Sequence, residues 1–120
     1  MIPQWKLTTN IAPKQGYVRH TGGIEWNLGQ QSDYLILNYI DYNNQIQTEI
    51  FNKISFLIRT NTVFFNITDA SNETNNAKYI ITSIDKSLFP IIKIGIKFID
   101  SKYFQISSPD ALLNIEFYTN

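Results

Sequence analysis

The sequence predicts an all-β domain on three observations. Apolar and polar residues alternate at period 2 along most of the chain, β-branched and aromatic residues are dense, and turn-forming residues recur at intervals of roughly 8 to 15 residues. The chain of 120 residues has room for one core, so a single domain over 1–120 is expected. Its apolar content of 43% against 17% charged residues is enough to offset ordering entropy. About eight or nine short strands are the pattern of a sandwich or barrel, and the architecture expected is one antiparallel β-sandwich, jelly-roll-like or immunoglobulin-like.

In chain order, Trp5, Leu7 and Thr9 alternate with Lys6 and Thr8 as a short first strand, which ends before the Ala12-Pro13-Lys14-Gln15-Gly16 turn. Tyr17 to His20 follows, then a break at Thr21-Gly22-Gly23, and then Ile24, Trp26 and Leu28 alternate as a half-buried strand. Tyr34 to Ile40 is apolar on both faces and reads as a central strand with something packed on each side. Asp41-Tyr42-Asn43-Asn44 supplies turn chemistry, because Asp and Asn bond their own backbone and tolerate positive φ.

Gln45 to Arg59 carries two periods at once. Ile46, Thr48, Ile50, Asn52, Ile54, Phe56 and Ile58 fall on one face of a strand, whereas the isoleucines at spacing four also form a helical stripe. The β-branched load, the lack of a stop signal before Arg59 and the awkward placing of Phe51 and Phe56 favour a strand bent near Asn52; a single helix at 45–59 is the rival.

Thr62 to Ile67 reads as the next strand, and Asp69 to Asn76 as the longest and most mobile loop. Lys78 to Ile84 follows, closed by the Asp85-to-Pro90 turn. Ile92, Ile94, Ile96 and Phe98 form a one-sided strand in which Gly95 marks a bulge or a close backbone approach. Tyr103 to Ser107, the Ser107-to-Asp110 turn and Leu113 to Tyr118 complete the set.

Ten acids balance ten bases, which removes the long-range attraction that nucleic acid or an anionic membrane surface requires. The absence of cysteine excludes disulfides, thiolate metal sites and a cysteine nucleophile. No basic stretch with a following apolar run opens the chain, and no segment approaches the roughly 18 apolar residues of a membrane span. Isoleucine and asparagine are plentiful and alanine scarce, a pattern that A/T-rich codons alone would generate.

The single histidine, His20, has no orienting acid or nucleophile indicated beside it and reads as a surface or loop residue. The carboxylates are spread out, mostly in turns. Asp69, Ser71 and Glu73 alternate, but without the spacing and glycine of a calcium loop. Gly22-Gly23 lacks the pattern of a phosphate loop, and Asn66 and Asn72 head glycosylation sequons that matter only in a eukaryotic secretory pathway. No catalytic, cofactor or metal residues are assigned, so a non-enzyme is expected.

Partner contact is instead assigned to Trp5, near the chain's start, to the Tyr42, Asn43 and Asn44 turn, whose ring is poorly placed for burial, and to Asp69, Asn72 and Glu73 in the long loop. The function expected is a non-catalytic assembly subunit of a larger particle, a phage or virus capsid, tail or baseplate component located in the virion. It would act through homo- or hetero-oligomeric protein contacts, since two-faced apolar strands need covering. The alternative is a carbohydrate- or receptor-binding module.

Overall fold

The computed structural model describes residues 2–21, 26–27, 34–101, 105–106 and 111–119. Its elements are β1 (Gln4–Leu7), β2 (Tyr17–His20), β3 (Trp26–Asn27), β4 (Tyr34–Asn38), α1 (Thr48–Leu57), β5 (Val63–Asp69), β6 (Asn72–Asp85), β7 (Ile91–Ser101), β8 (Gln105–Ile106) and β9 (Leu112–Thr119). The fold is all-β with one short helix among these residues. Seven strands close into a barrel in the order β1-β2-β4-β7-β6-β5-β9, so a closed wall replaces the expected two-sheet sandwich. β3 and β8 pair separately as a two-stranded sheet. The predicted Gly22-Gly23 turn, the flanks of the Ile24-to-Leu28 run and the Ser107-to-Asp110 turn lie outside the described residues.

Closure departs from the all-antiparallel expectation at one seam, where β1 and β2 run parallel with Lys6 opposite Tyr17 and Leu7 opposite Val18. Parallel neighbours usually need a long crossover. Here β1 is only 4 residues long, so the connecting segment 8–16 has only about 13 Å to retrace, well within its extended reach. Gly16, at φ 88°, makes the final bend. Asn38 anchors the same segment by donating from Nδ2 to the Pro13 carbonyl (3.2 Å).

Alternation along each strand fills the barrel. Trp5, Leu7, Val18, Leu35, Leu37, Phe65, Ile67, Tyr79, Ile81, Ile92, Ile94, Leu113 and Ile115 point inward and are buried. The Trp5 indole donates to the Asn38 carbonyl (2.9 Å), which satisfies its one polar atom inside the core. Gly95 of β7 faces the bulge between Ile81 and Ser83 of β6. A Cβ there would overlap the hydroxyls of Ser83 and Thr82, so the glycine permits a close approach, as its place in the alternation suggested.

Residues 48–57 form a helix, not the favoured strand. The helical stripe wins because it turns Phe51 and Ile54 into the barrel and packs Ile50, Leu57 and Ile58 against the core, leaving Glu49, Asn52, Lys53 and Phe56 in solvent. The stop signal lies just past the predicted end, where the Asn61 amide donates to the Leu57 carbonyl (2.8 Å). Helix α1 plugs the mouth at which β4 and β9 end and β5 and β7 begin. The Phe51 ring lies 5.2 Å from Tyr39, 6.0 Å from Phe117 and 6.3 Å from Trp5, centroid to centroid.

The expected long loop at 69–76 is instead a hairpin: Asp69 pairs with Asn72 across Ala70-Ser71, and β6 begins at Asn72. Its Asn- and Thr-rich start lacks an apolar pattern because residues 72–74 are exposed on both faces at the mouth opposite α1. The second apolar faces of the strands are covered only in part within the chain, and Tyr34, Phe98 and Ile99 remain 38% to 41% exposed. Lys93 lies over Tyr34 (4.1 Å), Lys78 lies over Phe64 (4.6 Å), and Tyr118 stacks on Phe64 (5.5 Å).

His20 is fully buried on β2, contrary to the surface position expected of it. Burial, assisted by the neighbouring Arg19 charge, lowers its pKa to about 4 from 6.5. A depressed histidine pKa means that protons bind the unfolded chain preferentially, so its contribution is intact above pH 6.5 and is lost as pH falls toward 4. The slope approaches about 1.4 kcal/mol per pH unit, or about 3 kcal/mol by pH 4. Asp85, whose carboxyl is held below the usual range chiefly by the Ser87 hydroxyl and then by its amide, acts in the same direction. Urea denaturation of wild type and His20→Gln from pH 7 to 4 checks this: the wild type loses stability more steeply, and parallel profiles would refute it.

Candidate functional site

The predicted contact residues fall into three environments. Trp5 is fully buried and offers nothing to a partner. Proximity to the chain's start suggested exposure, but the β1–β9 pairing (Trp5 opposite Leu113) draws it into the core.

The Tyr42 turn is built on a buried carboxyl. Asp41 accepts hydrogen bonds from the Asn43 and Gln45 amides at Oδ1 (both 3.0 Å) and from Gln47 Nε2 at Oδ2 (3.1 Å). Asn44 takes the left-handed conformation at φ 63°, as a turn asparagine is suited to do. The turn is then pinned to the wall: the Tyr42 amide donates to the Gln4 carbonyl (2.7 Å), Asn43 Nδ2 donates to Gln4 Oε1 (3.1 Å), and Gln15 Nε2 donates to Asn44 Oδ1. Tyr42 remains exposed, with the Lys6 ammonium 4.6 Å from its ring centre.

In the hairpin, Asp69 spends its carboxylate on its own turn. Oδ1 accepts from the Ser71 amide (2.9 Å) and hydroxyl (2.7 Å), and Oδ2 accepts from Asn75 Nδ2 (3.3 Å). Asn72 does the same for the Thr74 amide and hydroxyl. Glu73 is different, since its side chain lines a groove on the wall together with Ile2, Asn66, Thr68, Asn114 and Glu116.

That groove connects to the Tyr42 turn. Gln4 accepts from Asn43 and donates from Nε2 to Asn114 Oδ1 (2.7 Å). Asn43 and Glu73, 30 residues apart in the chain, thus belong to one wall. Sequence reading missed Gln4, Asn66, Asn114 and Glu116, although alternation already placed the last two outward on β9.

A second surface lies at the mouth closed by α1. Lys86 Nζ donates to Asn52 Oδ1 (3.1 Å), which draws the 86–90 loop against the exposed helix face that carries Phe56 one turn later. The Phe89 ring lies 4.8 Å from Tyr39, and Ile46 bridges Ile40 just before the helix. Ile46, Phe56, Leu88 and Phe89 are 59% to 69% exposed, and only Ile11 exceeds them among the described large apolar residues. The criterion that singled out Tyr42, an aromatic ring in a turn, applies equally to Phe89 in its Pro90-closed turn.

Between α1 and the β5–β9 edge is a cavity of about 130 Å³, lined mostly by Ile50, Ile54, Leu57, Val63 and Phe117. Its lining does not bring an acid, a base and a nucleophile together. Among the described residues no three His, Cys, Asp or Glu side chains are grouped to hold a metal.

Fold and surfaces together define the class: a seven-stranded β-barrel plugged by one helix, with an amide-lined polar wall and an apolar mouth. No protein-family model, curated protein or solved structure matches the chain.

Proposed function

We propose that this chain is a non-catalytic assembly subunit of a larger particle, of the kind from which a phage or virus virion is built, joined to neighbouring protein subunits through the helix-plugged mouth. One observation carries the proposal: Ile46, Phe56, Leu88 and Phe89 stand exposed around a mouth that the chain's own core has already sealed. Large apolar side chains left this exposed on elements that border one mouth mark protein contacts. The virion setting is supported by the isoleucine- and asparagine-rich, alanine-poor composition.

Size-exclusion chromatography with light scattering tests the contact. The protein is expected to associate at high concentration, and the triple variant Phe56→Ser, Leu88→Ser, Phe89→Ser to weaken association about 100-fold or more, because each buried side chain contributes about 1.5–3 kcal/mol. A species that remains at 13.9 kDa at high concentration, with no larger assembly in its source, contradicts the proposal.

A further inference from the structure

The groove on the barrel wall has a composition distinct from the mouth, and its hydrogen-bonding state is informative. Asn66 Oδ1 is engaged by the Tyr118 hydroxyl (3.3 Å) and Asn114 Oδ1 by Gln4 Nε2 (2.7 Å). Each amide is therefore engaged at its oxygen, and its NH2 group has no hydrogen-bond partner among the described residues. The Thr68 hydroxyl and the Glu73 and Glu116 carboxylates likewise have no side-chain hydrogen-bond partner among the described residues. All five line one groove of about 260 Å³, just below the roughly 300 Å³ at which small-molecule pockets begin.

The wall's backbone is already spent. β1, β9, β5 and β6 are laddered to one another through this region, so an extended peptide cannot be added there as a strand. Recognition must run through side chains: two amide donors, one hydroxyl and two carboxylate acceptors. A hydroxyl that accepts from an amide and donates to a carboxylate satisfies both at once. Two carboxylates disfavour an anion, and no third acid joins them to make a metal site among the described residues.

We infer that this groove binds a neutral, polyhydroxylated ligand, a saccharide, through Asn66, Asn114, Thr68, Glu73 and Glu116. The site is independent of the apolar mouth and places a second binding activity on the same subunit.

The test is a titration of the ¹⁵N-labelled full chain with maltohexaose, cellohexaose, mannohexaose and chitohexaose, followed by amide and side-chain NH2 shifts. At least one sugar is expected to give saturable shifts confined to residues 66, 68, 73, 114 and 116. Asn66→Ala and Asn114→Ala should each weaken binding about fivefold, the equivalent of one hydrogen bond. Glu116→Gln, which keeps the shape of the wall, should also weaken it, with unchanged shifts elsewhere showing that the fold is intact. The triple mouth variant should bind as wild type does, which separates this site from the assembly contact. The inference is overturned by the absence of saturable shifts with all four sugars, by shifts mapping elsewhere, by undiminished binding in the variants, or by calcium chloride alone shifting these residues when no sugar does.

Discussion

Phe51→Ala is expected to destabilise the protein by about 3–5 kcal/mol and lower its melting temperature on the order of 15 °C. Phe51 is fully buried, and its ring is packed among Trp5, Tyr39 and Phe117, so truncation opens a cavity that three large rings cannot collapse to fill. With domains stable by only about 5–15 kcal/mol, that loss is a large share of the total. Phe56→Ala, five residues away and mostly in solvent, should cost less than about 0.5 kcal/mol in the dissociated protein. The pair discriminates sharply, because a strand over 45–59 would place Phe56 with Ile50 and Ile54 and put Phe51 on the opposite face. Chemical denaturation of both variants decides it, and a larger cost at Phe56 would refute the plug.

Asp41→Ala is expected to cost about 3–5 kcal/mol. The side chain is buried and accepts three hydrogen bonds, two from the backbone of its own turn and one from Gln47 at the entrance to α1. Hydrogen bonds to a carboxylate contribute about 1.5–3 kcal/mol each, and removing the acceptor leaves three donors to find water or remain unsatisfied. Asp41→Asn keeps an acceptor for the two amides and should cost only about 1 kcal/mol. Thermal melts of the two variants test this, with equal melting temperatures excluding the role assigned to Asp41.

The β character was legible because period 2 is a local signal, and β2, β7 and β9 lie within two or three residues of their expected bounds. Closure was not legible. Whether two sheets face each other or one sheet meets itself depends on the β1–β2 and β1–β9 seams, which join segments by register and carry no composition of their own. The helix was ranked behind the strand because Ile46, Ile50, Ile54 and Ile58 satisfy both periods, and only the barrel's open mouth, a tertiary feature, selects between them.

The candidate surfaces were legible in part. The Asp41-to-Asn44 turn was read from local Asp and Asn chemistry, and Tyr42 is exposed as that reading required. Asp69 and Asn72 were read as available loop groups, but the hairpin consumes their oxygens. Glu73 was correctly placed at the surface, but the wall groove it joins is assembled from β9 and β5, which no local signal connects to residue 73. Trp5 is buried where exposure was expected, because sequence position says little about burial when a strand is laddered on both sides.

Hydrogen–deuterium exchange of the associated protein against its dissociated form tests the central functional claim most directly. Slowed exchange is expected at residues 46–57 and 86–90 on association, with the hairpin at 72–76 unchanged. Protection confined to the hairpin or the outer wall, with the helix-plugged mouth exchanging as freely as in the monomer, would contradict it.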